Sequence, residues 1–207
     1  DAEEEANIAQ GVHVRYSCQN MWGNITGKGS GEIWIPFHFL PGLIGETERE
    51  KLVCKKHSEL SQKLTERLLQ TTLDNSNFSF RLGVGLHVLA DTWAHQEFSG
   101  VNNMINLVQN LIFTAQGSMI GQVLDKVTET SGLSKILGAL SSFDKVGGPI
   151  GHLAAMHCPD MPYLWWKSGE RFLGGRKNWD EFLEASEELF RLIQEVSCEP
   201  VTGLSDR

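Results

Sequence analysis

Three side chains with metal-binding chemistry stand at a fixed interval near the middle of the chain: His87, Asp91 and His95, at i, i+4 and i+8. In a helix each step of four residues turns about 400°, so the three drift by only about 40° per step and share one face. Two imidazoles and a carboxylate on one stripe are natural ligands for Zn²⁺ or a similar borderline divalent cation. Over two turns they span about 12 Å at the backbone, too far for one tetrahedral ion to take all three. The spacing suggests more than one ion, with His87 and Asp91 sharing one and Asp91 and His95 facing another. Asp91 is then the candidate catalytic and bridging carboxylate. The same stripe also reads as a hydrogen-bonded core network without any cation, and the helix alone does not decide between the two.

The helix that must carry this stripe runs from Phe78 to Gln96 and is apolar almost all round, the pattern of a central, buried helix. Gly83 and Gly85 weaken it by about 1 kcal/mol each relative to Ala, which suggests close packing against a neighbour. Further ligands have to come from other segments. His38 lies between two prolines in Pro36-Phe37-His38-Phe39-Leu40-Pro41 and by itself reads as a satisfied core histidine. His152 follows Gly147-Gly148-Pro149-Ile150-Gly151, whose glycines permit close approach to a ligand, and opens an expected helix. His157 and Asp160 come shortly after, whereas His13 and His57 sit in ordinary exposed patterns and receive no role. There is no Gly-x-Ser-x-Gly elbow and no phosphate-binding P-loop. Tyr163, Trp165 and Trp166 read as core or rim residues.

Several elements must position these groups. Gly11 to Cys18 alternates as a strand, and Gly31 to Phe37 is its expected hairpin partner across the loop Asn20 to Ser30. Thr47 to Leu73 has helical spacing of leucines, Asn102 to Phe113 is a third helix, and Val123–Thr128 and Leu133–Leu140 are shorter ones. Asn178 to Ser197 is the last long helix, with Asn178 available as its cap. Together these predict a mainly α, single helical domain over 1–207, a bundle of about six helices with a small N-terminal β-hairpin.

The chain has 207 residues, 41% hydrophobic and 21% charged, an ordinary balance for one globular domain. Its 26 acidic residues outnumber 18 basic ones, for a net charge of −8, so tracking a nucleic-acid duplex is disfavoured. Cys18, Cys54, Cys158 and Cys198 are scattered and read as thiols. No apolar run of about 18 residues suggests a membrane span, and Asp1 to Glu5 lack the basic-then-apolar order of a leader, so the expected location is cytoplasmic.

The combination of Pro36-Phe37-His38-Phe39-Leu40-Pro41, then His87-x-x-Ala90-Asp91-Thr92-Trp93-Ala94-His95-Gln96-x-Phe98-Ser99-Gly100, then Gly151-His152 and Pro159-Asp160-x-Pro162-Tyr163 resembles a bacterial family of unknown function. That family is similar to the zinc-dependent phospholipase C and P1 nuclease superfamily, whose helical proteins hold zinc clusters and carry a His-x-x-x-Asp motif like His87 and Asp91. Family members usually begin earlier, so the resemblance implies a missing N-terminal segment, with Asp1-Ala2 as its tail. It also implies His38, His87, Asp91 and His152 as ligands, with His95 a ligand or an orienting group. Met156 stands where that superfamily has a Glu four residues after His152, so a third ion requires His157 or Asp160 instead. The implied activity is metal-dependent hydrolysis of a small phosphoester or phospholipid, with Trp93, Phe98 and Trp165 flanking the opening. The alternative is a non-catalytic binding or scaffold module with a structural His/Asp network.

Overall fold

The computed structural model describes residues 6–8, 12–14, 31–70, 77–108, 110–115, 149–169 and 171–198, with backbone only at 6–8, 12–14, 31–34, 115, 171 and 198. Two short strands, β1 (Ala6–Ile8) and β2 (Val12–Val14), pair antiparallel. Five α-helices follow among the described residues: α1 (Gly31–His38), α2 (Glu48–Leu52), α3 (Glu59–Leu69), α4 (Phe78–Ala94) and α5 (Asn178–Cys198). Between α4 and α5 lies an antiparallel sheet in the order β3 (Leu111–Ala115), β4 (Leu164–Ser168), β5 (Arg171–Lys177).

The expected helical bundle of the phospholipase C/P1 nuclease kind is therefore wrong, since a three-stranded sheet forms part of the architecture. The expected third helix at Asn102–Phe113 is instead a 3₁₀ turn, Met104–Asn106, followed by β3. Its Leu111-Ile112-Phe113 run is too short for periodicity to tell strand from helix, and pairing with β4 decides. In β4 the side chains of Leu164, Trp166 and Ser168 are buried and alternate with half-buried ones, the period-2 signature of a strand. The N-terminal hairpin has a different partner from the expected one, because β2 pairs with β1 while 31–38 is helical. The long helix at 47–73 is two helices. Thr47 and Glu50 form a capping box on α2, Ser58 caps α3, and the Cys54 backbone between them bonds to Phe98 O and Glu97 N. The expected helices at 123–128 and 133–140, the loop at 20–30 and Cys18 lie outside the described residues. No helix among the described residues is long and apolar enough to cross a membrane.

Two cores flank α4. Leu89 of α4 packs with Leu68 of α3 and with Leu192 and Val196 of α5. Gly85 makes the α3 approach possible, because a Cβ there would sit 2.6 Å from Leu68 Cδ2; Gly83 faces open space. The second core holds Phe39, Cys54, Phe98, Ala155, Cys158, Leu164 and Trp166, and joins the sheet to α1 and the segment around 155–158. Cys54 and Cys158 are free, buried thiols. Burial pushes the Cys158 thiol up to about 12 and that of Cys54 higher still, so neither is a thiolate.

Sheet and central helix are joined by Arg176 of β5. Its guanidinium is 4% exposed and donates from Nη1 to Ala94 O (2.9 Å) and from Nη2 to Trp93 O (2.6 Å). These carbonyls belong to the last turn of α4, which lacks intrahelical partners. The cation also lies over the rings of Trp166 and Phe172, 5.8 and 5.6 Å from their centroids. Replacing Arg176 by Met keeps the stem but orphans Ala94 O and leaves Trp93 O with only the Gln96 amide. Arg176→Met is expected to lower the unfolding free energy by about 2–4 kcal/mol, read from urea denaturation with an unchanged slope. An unchanged midpoint would show that the cap contributes nothing.

Candidate metal centre

α4 ends at Ala94, and His95 caps it with its amide bonded to Asp91 O. On the exposed side of this last stretch, His87, Asp91 and His95 face α1 and the 152–160 segment. Together with His38, His152 and Asp160 they line a cavity of about 720 Å³. All five residues singled out as candidate ligands thus share one cavity, although they come from three separate segments.

Their donor atoms fall into two sets, each with all its atoms within 4.8 Å of one another: His38, His87 and Asp91, and His95, His152 and Asp160. In the first, Asp91 Oδ2 lies 2.7 Å from His38 Nδ1 and 3.2 Å from His87 Nε2. His87 Nε2 is 3.5 Å from His38 Nδ1, and Phe37 stacks on the His87 ring at 4.4 Å. In the second, Asp160 Oδ1 lies 3.0 Å from His95 Nε2 and Asp160 Oδ2 lies 3.5 Å from His152 Nε2. The two sets meet at His95, whose Nδ1 is 3.8 Å from Asp91 Oδ2. Each set contains its own carboxylate, so Asp91 is not required to span two ions. Asp160 was the member hardest to find in the sequence, because it pairs with His95 at a separation of 65 residues.

Backbone carbonyls orient the second set. His95 Nδ1 lies 2.7 Å from His38 O and His152 Nδ1 lies 2.8 Å from Met156 O. A carbonyl only accepts, so each Nδ1 carries the hydrogen and each Nε2 is turned towards Asp160. This is the arrangement that fixes a metal-binding imidazole: one nitrogen donating to a fixed acceptor and the other free to ligate. Met156 adopts a left-handed φ of 55° to present its carbonyl. Gly151, at φ 54°, gives close approach not to a ligand but to the Phe39 ring, 2.5 Å from where a Cβ would be. His152 opens only a 3₁₀ turn, Leu153–Ala155.

The electrostatics separate the groups. Burial alone would raise the Asp91 pKa, but hydrogen bonds from His38 and His87 hold it down to about 2. Burial opposes the charged form of Asp160 too, yet His95 and His152 keep its pKa below the usual value. For His95, burial disfavours the cation, but Asp160 and Asp91 outweigh it and the pKa rises. His152 is 20% exposed at the cavity wall, yet burial and then the charge of His95 push its pKa down to about 4. His152 is therefore neutral near pH 7, and the lone pair on Nε2 faces an ionised carboxylate at 3.5 Å. That contact repels unless a cation joins the two.

The remaining expectations are mixed. Trp93 does line the cavity. Phe98 is fully buried in the core, and the Trp165 ring packs against Gly175 away from the cavity lining, so neither flanks the opening. Phe182, Ala185 and Leu189 of α5 supply the apolar wall instead. Asn178 does not cap α5 with its side chain; its amide donates to Cys158 O and Met161 O, and its oxygen accepts from Trp166 Nε1. His157 lines the rim, 77% exposed, with Nδ1 4.0 Å from Asp160 Oδ2.

A mixed helix–sheet protein with a His/Asp cluster on its central helix is thus the class that fold and site define. The chain belongs to the family of unknown function DUF6765, whose model matches residues 3–206. No curated protein and no solved structure matches it.

The His87 pair offers a pH test on chelated protein. The hydrogen bond to Asp91 raises the His87 pKa above its model-compound value of 6.5. A raised folded pKa gives stability that is fully present below the unfolded value and lost as pH rises through the folded one. Asp91, held near 2, stays ionised throughout that range. His87→Ala should therefore lower Tm more at about pH 5.5 than at about pH 8.5. Equal losses at both would rule out a charged His87–Asp91 pair.

Proposed function

We propose that this protein is a hydrolase using two divalent cations, Zn²⁺ or a similar ion, with a small phosphoester or phospholipid as substrate. The observation that carries the reading is the convergence of six donor groups in two sets, each within 4.8 Å, with His95 and His152 held through Nδ1 by the carbonyls of His38 and Met156. Bound cations would supply a water of lowered pKa and a Lewis acid for the phosphoryl oxygen. His38, His87 and Asp91 would hold one ion and His95, His152 and Asp160 the other. With two carboxylates and four neutral imidazoles, the ligands leave a pair of divalent ions net positive, suited to an anionic ester.

The resemblance of His87-x-x-x-Asp91 to the zinc-dependent phosphoesterases favours phosphoesters among hydrolysable substrates. Phe182, Ala185 and Leu189 opposite the ligands favour a substrate with an apolar part. The net charge of −8 disfavours a nucleic-acid duplex.

Chelated protein, reloaded and passed through gel filtration, should retain Zn²⁺ in both cavity sets. Asp91→Ala and His152→Ala should each lose about one ion while keeping the helical circular-dichroism signal. With Zn²⁺, the protein should hydrolyse a chromogenic phosphodiester or phosphocholine ester, and Asp91→Ala should reduce kcat/KM by about 100-fold or more. Chelator should abolish turnover. Ion-free wild-type protein with no hydrolysis across phosphomonoester, phosphodiester and phospholipid substrates would establish the structural His/Asp network of a binding module instead.

A further inference from the structure

A third cluster of ligating side chains lies outside the two cavity sets. His57, in the turn before α3, meets Glu184 and Glu188, one turn apart on α5, with all three donor atoms within 4.8 Å of one another. His57 Nε2 is 3.4 Å from Glu184 Oε1 and also 3.4 Å from Glu188 Oε1. One imidazole nitrogen carries at most one hydrogen, so it cannot satisfy two carboxylates, and 3.4 Å is long for a charge-assisted bond. Two carboxylates at i, i+4 also repel. The three groups converge on one point, with one imidazole nitrogen shared between two carboxylates at the limit of hydrogen-bond distance.

A second observation comes from Trp93. It is 4% exposed, and its Nε1–H has no hydrogen-bond partner. Trp93 packs edge-on against the His57 ring, 5.3 Å between centroids, and borders a smaller cavity of about 340 Å³ lined also by His57 and Glu188. Lys56 is the main cause of the lowered Glu184 pKa. An unpartnered indole N–H beside these carboxylates is available to orient one of them once it takes a cation.

We propose that His57, Glu184 and Glu188 form a third divalent-cation site, beside Trp93 and independent of the cavity. One imidazole and two carboxylates suit a borderline transition ion such as Zn²⁺ or Mn²⁺, completed by water. The ion would tie the turn before α3 to α5. Lys56 competes for the site, since its Nζ lies 2.5 Å from Glu184 Oε2 and 3.0 Å from Glu181 Oε2.

Zn²⁺ titration of the chelated full chain, read by calorimetry and by metal retained after gel filtration, tests this. Wild type should bind one more ion than Glu188→Gln or His57→Ala. The double variant Asp91→Ala/His152→Ala should keep an ion that Glu188→Gln then removes. Lys56→Met should tighten that ion about tenfold by removing a competing charge. Equal stoichiometry in wild type, Glu188→Gln and His57→Ala overturns the site and leaves the cavity reading untouched. An ion lost in Glu188→Gln but in neither cavity variant upholds this site and refutes the cavity. Unaltered affinity in Lys56→Met counts against it.

Discussion

The end of the central helix is held by a buried cation. A guanidinium at 4% exposure is costly to bury, and burial lowers even the Arg176 pKa to about 10. It forms no ion pair among the described residues; Nη1 and Nη2 donate to the carbonyls of Ala94 and Trp93, and Nε is buried without a partner. Compensation comes from the nearby carboxylates of Glu181 and Asp160, from the negative end of the α4 dipole and from the faces of Trp166 and Phe172. The sheet thereby determines where α4 stops. Stopping at Ala94 lets the next residues turn away, so that His95 reaches both His38 O and Asp160 while Phe98 enters the second core.

Two buried amides do for the second ligand segment what Arg176 does for the helix. Asn106 donates to Ser99 O, Val101 O and Pro149 O and accepts from Ser99 N, binding the chain just after α4 to the chain just before His152. Gly151 N adds a bond to Ser99 O. Asn178 grips the carbonyls of Cys158 and Met161 on either side of Asp160 and is itself held by Trp166. Both amides are fully buried with donors and acceptor used, the condition under which a polar group in a core specifies structure. Asp160 and His152 are thus fixed by two amides that touch no ligand atom.

The stripe of His87, Asp91 and His95 was legible because a helix of fixed pitch converts spacing directly into a shared face. α5 was legible for the same reason. What failed was everything dependent on partners distant in sequence. Ile33-Trp34-Ile35 looks like a strand by residue type, but β2 pairs with β1 and that segment folds as α1. Leu111–Ala115 has no period of its own and becomes a strand by pairing with residues 164–168. Asn178 suits a cap by residue type, whereas its amide is taken up by Cys158 O, Met161 O and Trp166 Nε1. Asp160 carries no local signal that it meets His95.

The division of α4's stripe into two ligand sets follows from the His95 ring. Its Nδ1 is committed to His38 O, so it cannot share an ion with Asp91, although that carboxylate is only 3.8 Å away. Its Nε2 is therefore given to Asp160. His38 consequently serves both sets, by its imidazole in the first and by its carbonyl in the second. The opposite pKa directions of His95 and His152 belong to the same geometry: Asp160 draws a proton to His95, and that charge helps to keep His152 neutral. A cation entering the second set would meet two imidazoles already carrying Nδ1–H, so loading would need no change of tautomer.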